Sequence, residues 1–209
     1  MNAPDPIRHQ GRPRCEATRL AILSAARRMF ETSNLRDLTI DAIAKQAGVS
    51  KATIYRWWNN KAELVMDACI EELRQDATFD RSGHSAVEII TNQMRRLIKV
   101  YSGPTGRMVG QLMAEAQYQP EIGRRFLVNH AESRCRELME ILGGERDKVV
   151  FLADLLYGPI YFRLIRHSCP LDAAFADHLT AQAAQWISQW QDGTFCAGSP
   201  VTETGRPLP

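Results

Sequence analysis

Four side chains between positions 51 and 56 have the chemistry to grip a polyanion: Lys51, Thr53, Tyr55 and Arg56. The two cations offer charged donors, and the two hydroxyls offer neutral hydrogen bonds of different reach. Ala52 lies among them and permits close approach to whatever is bound. Thr53 can bond a base edge or touch a thymine methyl, Lys51 and Tyr55 can reach phosphate, and Arg56 can take phosphate or guanine. Thr39 and Lys61 stand at expected helix starts flanking the motif, where free backbone N–H groups favour phosphate. Arg12 and Arg14 precede all of these in a Pro-rich stretch and can follow the backbone or enter a minor groove.

These side chains need a scaffold that pushes them outward. Ile22, Leu23, Ala26, Met29 and Phe30 share one helical face. Thr39 is suited to cap a second helix, whose apolar face is Ile40, Ile43, Ala44 and Ala47. Gly48 ends that helix as the residue that tolerates a left-handed backbone. Ser50 then caps a short third helix, expected over Lys51 to Trp57 or Trp58. Asn60 to Glu63 has capping-box-like spacing and opens a longer helix through about Gln75. The small residues of AlaGlyValSer let the second and third helices cross closely, as a helix-turn-helix requires. Ile43, Ala44, Val49 and Ile54 are spaced to meet Phe30 and Leu64, which forces the opposite face of the third helix into solvent.

The charge distribution fits this reading. Residues 1–65 hold 11 Lys/Arg and 6 Asp/Glu, whereas residues 66–209 hold 15 and 18. A basic N-terminal piece on a mildly acidic remainder suggests that only one part meets a polyanion.

The segment GRPRCEATRLAILSAARRMFETSNLRDLTIDAIAKQAGVSKATIYRWWNNKAELVMDA resembles the N-terminal domain of the tetracycline-repressor (TetR) family of bacterial transcriptional regulators. The similarity spans about residues 11 to 70, a third of the chain. It implies that the helix from Lys51 to Trp57 is the recognition helix. It also implies that Thr39, Ser50, Lys51, Ala52, Thr53, Tyr55, Arg56, Trp57 and Lys61 hold the family's DNA-contact positions. Trp57 departs from the pattern, since the family has His or Tyr there. It can stack on the DNA backbone or pack inward, whereas Trp58 reads as core. Repression, a palindromic operator and a dimeric, often hollow regulatory domain are further implications of the resemblance.

Beyond residue 76 the pattern stays helical. Stretches are expected over Ser85 to Val100, Arg107 to Gln119, Pro120 to Leu142, Asp147 to His167 and Leu171 to Gln191. SGPTG at 102–106 reads as a break, and Gly158–Pro159 as a kink in the long fourth stretch. VVFLADLLYGPIYFRLI is apolar nearly all round, so it must bury more than one face. With Phe175, Leu179, Ala183, Trp186, Ile187 and Trp190 of the last helix, it suggests a homodimer through helices 147–167 and 171–191. Met94, Leu97, Tyr101, Met108, Leu112, Met113, Tyr118, Phe126, Phe151, Leu155 and Tyr161 are candidates to line a cavity for a small, mostly apolar effector. At helical spacing such residues also read as plain core.

The expected class is all-α. The expected parts are a mobile basic arm (1–14), a helix-turn-helix domain (15–62), a connecting helix (63–76), an effector and dimerisation domain (77–192) and a disordered tail (193–209). The 209 residues, 44% hydrophobic and 24% charged, have ordinary globular composition. No apolar run approaches the roughly 20 residues of a membrane span, and MNAPDPIRHQGRPR lacks a secretory core, so the chain reads as cytoplasmic. The five cysteines are scattered and read as free thiols. No enzyme motif such as GxSxG, HExxH or a P-loop occurs, and no metal or cofactor is expected. A nonspecific architectural DNA binder and a helical enzyme without a recognisable motif are the competing readings.

Overall fold

The computed structural model describes residues 15–82, 84–121, 124, 131–166 and 169–195. Every regular element among them is helical. In chain order they are α1 (Glu16–Met29), α2 (Ile40–Ala47), α3 (Lys51–Tyr55), α4 (Lys61–Asp76), α5 (Ala86–Tyr101), α6 (Pro104–Glu115), α7 (Glu132–Leu142), α8 (Arg146–Arg166) and α9 (Ala173–Gln191).

Local chemistry sets most of these boundaries. Thr39 Oγ1 accepts from Ala42 N, Ser50 Oγ from Thr53 N and Asn60 Oδ1 from Glu63 N, satisfying one free N–H at each helix start. Gly48 ends α2 at φ 67, and its N–H returns to the Ala44 and Lys45 carbonyls. At α4 the reciprocal bond is displaced by one residue, because Glu63 Oε2 accepts from Asn59 N rather than Asn60 N. A full capping box forms at α5, between Ser85 and Glu88.

Several expected boundaries move. α3 stops at Tyr55, and Trp57 N turns tightly back to Ile54 O, so Trp57 and Trp58 lie past its end. α6 begins at Pro104 and not at Arg107, because proline suits a first helical position whose N–H would go unused. It ends at Glu115, and a turn takes up 116–119. α8 runs unbroken through Pro159. α9 starts at Ala173 because Asp172 caps it, Oδ1 accepting from Phe175 N. Gly193–Phe195, expected in a disordered tail, fold back instead. Gly193 adopts φ 70, and Phe195 packs on Trp190 with ring centres 5.5 Å apart. The arm at 1–14, the tail from 196, and 122–123 and 125–130 of the helix expected from Pro120 lie outside the described residues, while Pro120 and Glu121 are helical.

α1 packs on α2 and α4, and α3 on α2. α4 continues into the second half, where it meets α5 and α6; α6 packs on α8, α7 on α8, and α9 on α5. One continuous apolar core joins the two halves, from Ile22 and Phe30 through Leu64 and Cys69 to Leu97, Leu152 and Ile187. Any rotation of the first three helices must therefore act on α4 or α6.

Candidate nucleic-acid interface

The outward face of α3 is set by what lies beneath it. Ile54 is fully buried in the core that also holds Phe30, Ile43, Ala44 and Leu64, with Val49 packed against that core. Trp58 anchors the end of the turn, 1% exposed, with Nε1 donating to Asp67 Oδ2 at 2.8 Å. Burying such an indole without a partner for its N–H would be costly, and Asp67 of α4 supplies one. The opposite face is open. Lys51, Ala52, Tyr55 and Arg56 are exposed, Tyr55 to 53%.

The sequence-predicted residues differ in what holds them locally. The Thr39 and Ser50 hydroxyls are engaged as caps, and Ser50 Oγ lies 2.9 Å from Thr53 Oγ1. The Thr53 hydroxyl is thereby oriented at the start of the helix. Lys51 Nζ pairs with Asp41 Oδ1 of α2 at 2.5 Å, both side chains well exposed. Lys61 Nζ donates to the Arg36 carbonyl at 3.1 Å, so its ammonium is tied to the α1–α2 connector. Trp57 is half-buried against the core, its ring centre 6.2 Å from that of Trp58. Arg12 and Arg14 lie outside the described residues. Sequence reasoning missed Asp41; its exposure on α2, opposite the start of α3, depends on the angle between two helices.

The head is fastened to the rest by polar groups of α6. The Leu35 N–H donates to Gln111 Oε1 at 2.7 Å, and Gln111 Nε2 reaches Asn34 Oδ1 at 3.3 Å. Arg107 donates to the Phe30 carbonyl. A cleft of about 600 Å³ lies beside these contacts, bordered by Leu35, Lys61, Gln111 and Tyr118.

The eleven cavity candidates separate into groups. Met94, Leu97, Tyr101, Met108 and Leu112 are buried together in the core between α5 and α6. Met113 and Tyr161 are half-buried against it, Tyr161 with its ring centre 6.0 Å from that of Tyr101. Tyr118 does not join them; it is 86% exposed beside the head. Phe151 is also turned away, 43% exposed and 6.4 Å from the Phe195 ring. Leu155 shares that outer side of α8, one turn on, and Phe126 lies outside the described residues. Buried polar residues were missed, among them Gln93 on α5 and Arg134 on α7. Each stands four positions before a buried leucine, Leu97 or Leu138, and so interrupts an apolar face; that interruption was the available signal.

Comparison with known proteins agrees with this geometry. Residues 22–68 match the family model for bacterial regulatory proteins of the tetR family, and residues 88–183 match a tetracyclin repressor-like C-terminal domain. The chain is 32% identical over 164 residues to the HTH-type transcriptional regulator YdeS of Bacillus subtilis, covering 75% of this chain and 82% of that one. The chain belongs to the TetR family of transcriptional regulators. A crystal structure of the TetR-family regulator SCO0332 superposes with a TM-score of 0.66 at 26% identity, covering 80% of this chain and 97% of that one. A TetR regulator from Rhodococcus sp. RHA1 shares the fold, with a TM-score of 0.60 at 17% identity, covering 87% and 97%. This is a family of DNA-binding regulators and not of enzymes. No helix among the described residues is long and apolar enough to cross a membrane. No His, Cys, Asp and Glu group among them is arranged to hold a metal ion.

Proposed function

We propose that this TetR-family regulator is a homodimeric repressor that leaves a palindromic operator when a small, mostly apolar effector binds its C-terminal half. The observation that carries the DNA-reading part is α3 itself: fully buried Ile54 beneath, and Lys51, Ala52, Thr53, Tyr55 and Arg56 above. Short side chains at the helix start suit insertion into a major groove, and the cations at its edges suit phosphate. Thr39, Ser50, Trp57 and Lys61 frame the groove contact through helix starts and backbone.

Dimerisation is supported by the outer side of α8. Phe151, Leu155, Phe162 and Ile165 recur at helical spacing, and Phe162 and Ile165 are 58% and 54% exposed. Contiguous apolar exposure of this kind marks an interaction face. A twofold pair through α8 and α9 would set two α3 helices against symmetric half-sites. An effector among Met94, Leu97, Tyr101 and Met108 would push on α6, and Gln111 and Arg107 would carry that displacement to the head. Ligand and DNA then oppose each other because each favours a different spacing of the heads.

Footprinting on duplexes selected from a random pool tests this reading. It predicts protection of a discrete inverted repeat that survives excess competitor DNA. Uniform coating without a site would instead support the architectural reading.

A further inference from the structure

Two arginines far apart in sequence line one cleft of about 440 Å³. Arg107 comes from the first turn of α6 and Arg163 from the last turn of α8. The cleft lies between the α5–α6 turn and the segment that follows α8, and Tyr101, Pro104, Leu164 and Leu171 give it apolar walls. Both arginines are half-buried there.

Each guanidinium donates to a neutral acceptor. Arg107 donates to the Phe30 carbonyl at the end of α1, and Arg163 donates to the Pro170 carbonyl at 2.5 Å. The Arg163 guanidinium carbon also sits 3.8 Å from the centre of the Phe175 ring, a stacking contact that orients its fork. Among the described residues no carboxylate lies within ion-pair distance of either arginine. No Asp or Glu lines the cleft either. Arginine keeps its proton in proteins, so these walls carry two permanent positive charges and no negative one. A concave site lined by one sign of charge on apolar walls concentrates anions. A carbonyl occupies only part of each fork, so most of the donors remain available.

We propose that this cleft takes a doubly charged phosphate ester with a small apolar body, its phosphate held by Arg107 and Arg163 and its body against Tyr101 and Leu164. The inference rests on the effector-responsive reading above and gives that effector a charged group. The volume falls within the range of small-molecule sites, roughly 300–1,000 Å³. A carboxylate brings one charge and suits one fork. A phosphate monoester brings close to two charges and three terminal oxygens, so it answers both. The site also has a route to the head. Tyr101 belongs to the cleft and to the α5–α6 core alike. Arg107 is the clasp on α1, so an anion on its guanidinium competes with the Phe30 carbonyl and loosens that hold.

The test titrates phenyl phosphate, inorganic phosphate, benzoate and benzyl alcohol calorimetrically into the full chain, at constant ionic strength and in a phosphate-free buffer. Phenyl phosphate is expected to bind about tenfold or more tightly than each of the other three. Arg163→Met should remove that preference, and Arg163→Lys should keep part of it. A second measurement needs no variant. Phenyl phosphate, and not benzyl alcohol, should slow phenylglyoxal modification of Arg107 and Arg163, followed by peptide mass. Equal binding of the four probes, inorganic phosphate or benzoate as tight as the ester, a preference that persists in Arg163→Met, or unprotected arginines would each overturn the site. Operator affinity is measured on the same preparations. The ester should lower it in the unmodified chain and not in Arg163→Met, and binding with unchanged operator affinity would overturn the link to the head. Sequence-specific DNA binding without any ester preference removes this site alone, whereas loss of sequence-specific DNA binding by the unmodified chain removes the regulator reading.

Discussion

Lys51 is held by Asp41 at 2.5 Å, so the proposed docking on DNA would exchange one anion for another. An exposed pair of this kind is worth little in stability, but it would compete with the proposed phosphate contact. Asp41→Asn should therefore raise affinity for DNA of any sequence, with the unfolding midpoint nearly unchanged. Lys51→Ala should weaken binding uniformly and reduce the logarithmic salt slope by about 1.8 per dimer, the value for one phosphate on each subunit. Thr53→Ala should behave differently, altering which duplexes are preferred rather than the salt slope. Fluorescence anisotropy across a salt series separates these outcomes. The residues were legible to different degrees for a physical reason. Thr39, Gly48 and Ser50 act on their own chain within a few positions, so type and spacing reveal them. The Lys51–Asp41 pair depends on a helix crossing, and the bond from Leu35 N to Gln111 joins positions far apart in sequence. Nothing local marks either one.

At the scale of elements, two glycines do different work. Gly48 sits at φ 67 with open space around its missing Cβ, so Gly48→Ala costs only backbone strain, about 1 kcal/mol. Gly106 lies where α6 crosses the end of α5, and a Cβ there would fall 1.8 Å from the Tyr101 carbonyl oxygen. Gly106→Ala must shift one helix and should cost about 3 kcal/mol, with urea melts giving the comparison. This crossing also explains the misplaced start of α6. SGPTG has the composition of a break, yet Pro104 fits a first turn and Gly106 permits the contact that follows. At the start of α5, the Ser85 backbone N–H and hydroxyl hold the Glu88 carboxyl below its usual range. A lowered carboxyl stabilises the fold above its unfolded pKa and stops doing so as pH falls through the folded value. The melting temperature of Glu88→Gln should thus lie below that of the unmodified chain at pH 7, and the gap should close in acid.

At the scale of the molecule, one apolar core joins the two halves, and through it the proposed effector would act on the head. Gln111 and Arg107 of α6 hold the α1–α2 connector, and α4 runs from the head into the regulatory core. The all-helical architecture was readable from periodicity alone. The division of α8 into an inner face and an outer stripe was not, because an apolar run does not say which side a partner covers. Phe162→Glu places a charge in that outer stripe and should halve the mass measured by light scattering, with circular dichroism unchanged. A dimer of unaltered mass would move the interface elsewhere. The central claim is that α3 reads DNA sequence from a twofold pair. Its most direct test is selection from a random duplex pool, run with the unmodified chain and with a variant carrying Lys51→Ala, Thr53→Ala and Tyr55→Ala, both shown to be folded. The account predicts an inverted repeat enriched by the first and none by the second. The same repeat emerging from both would contradict it.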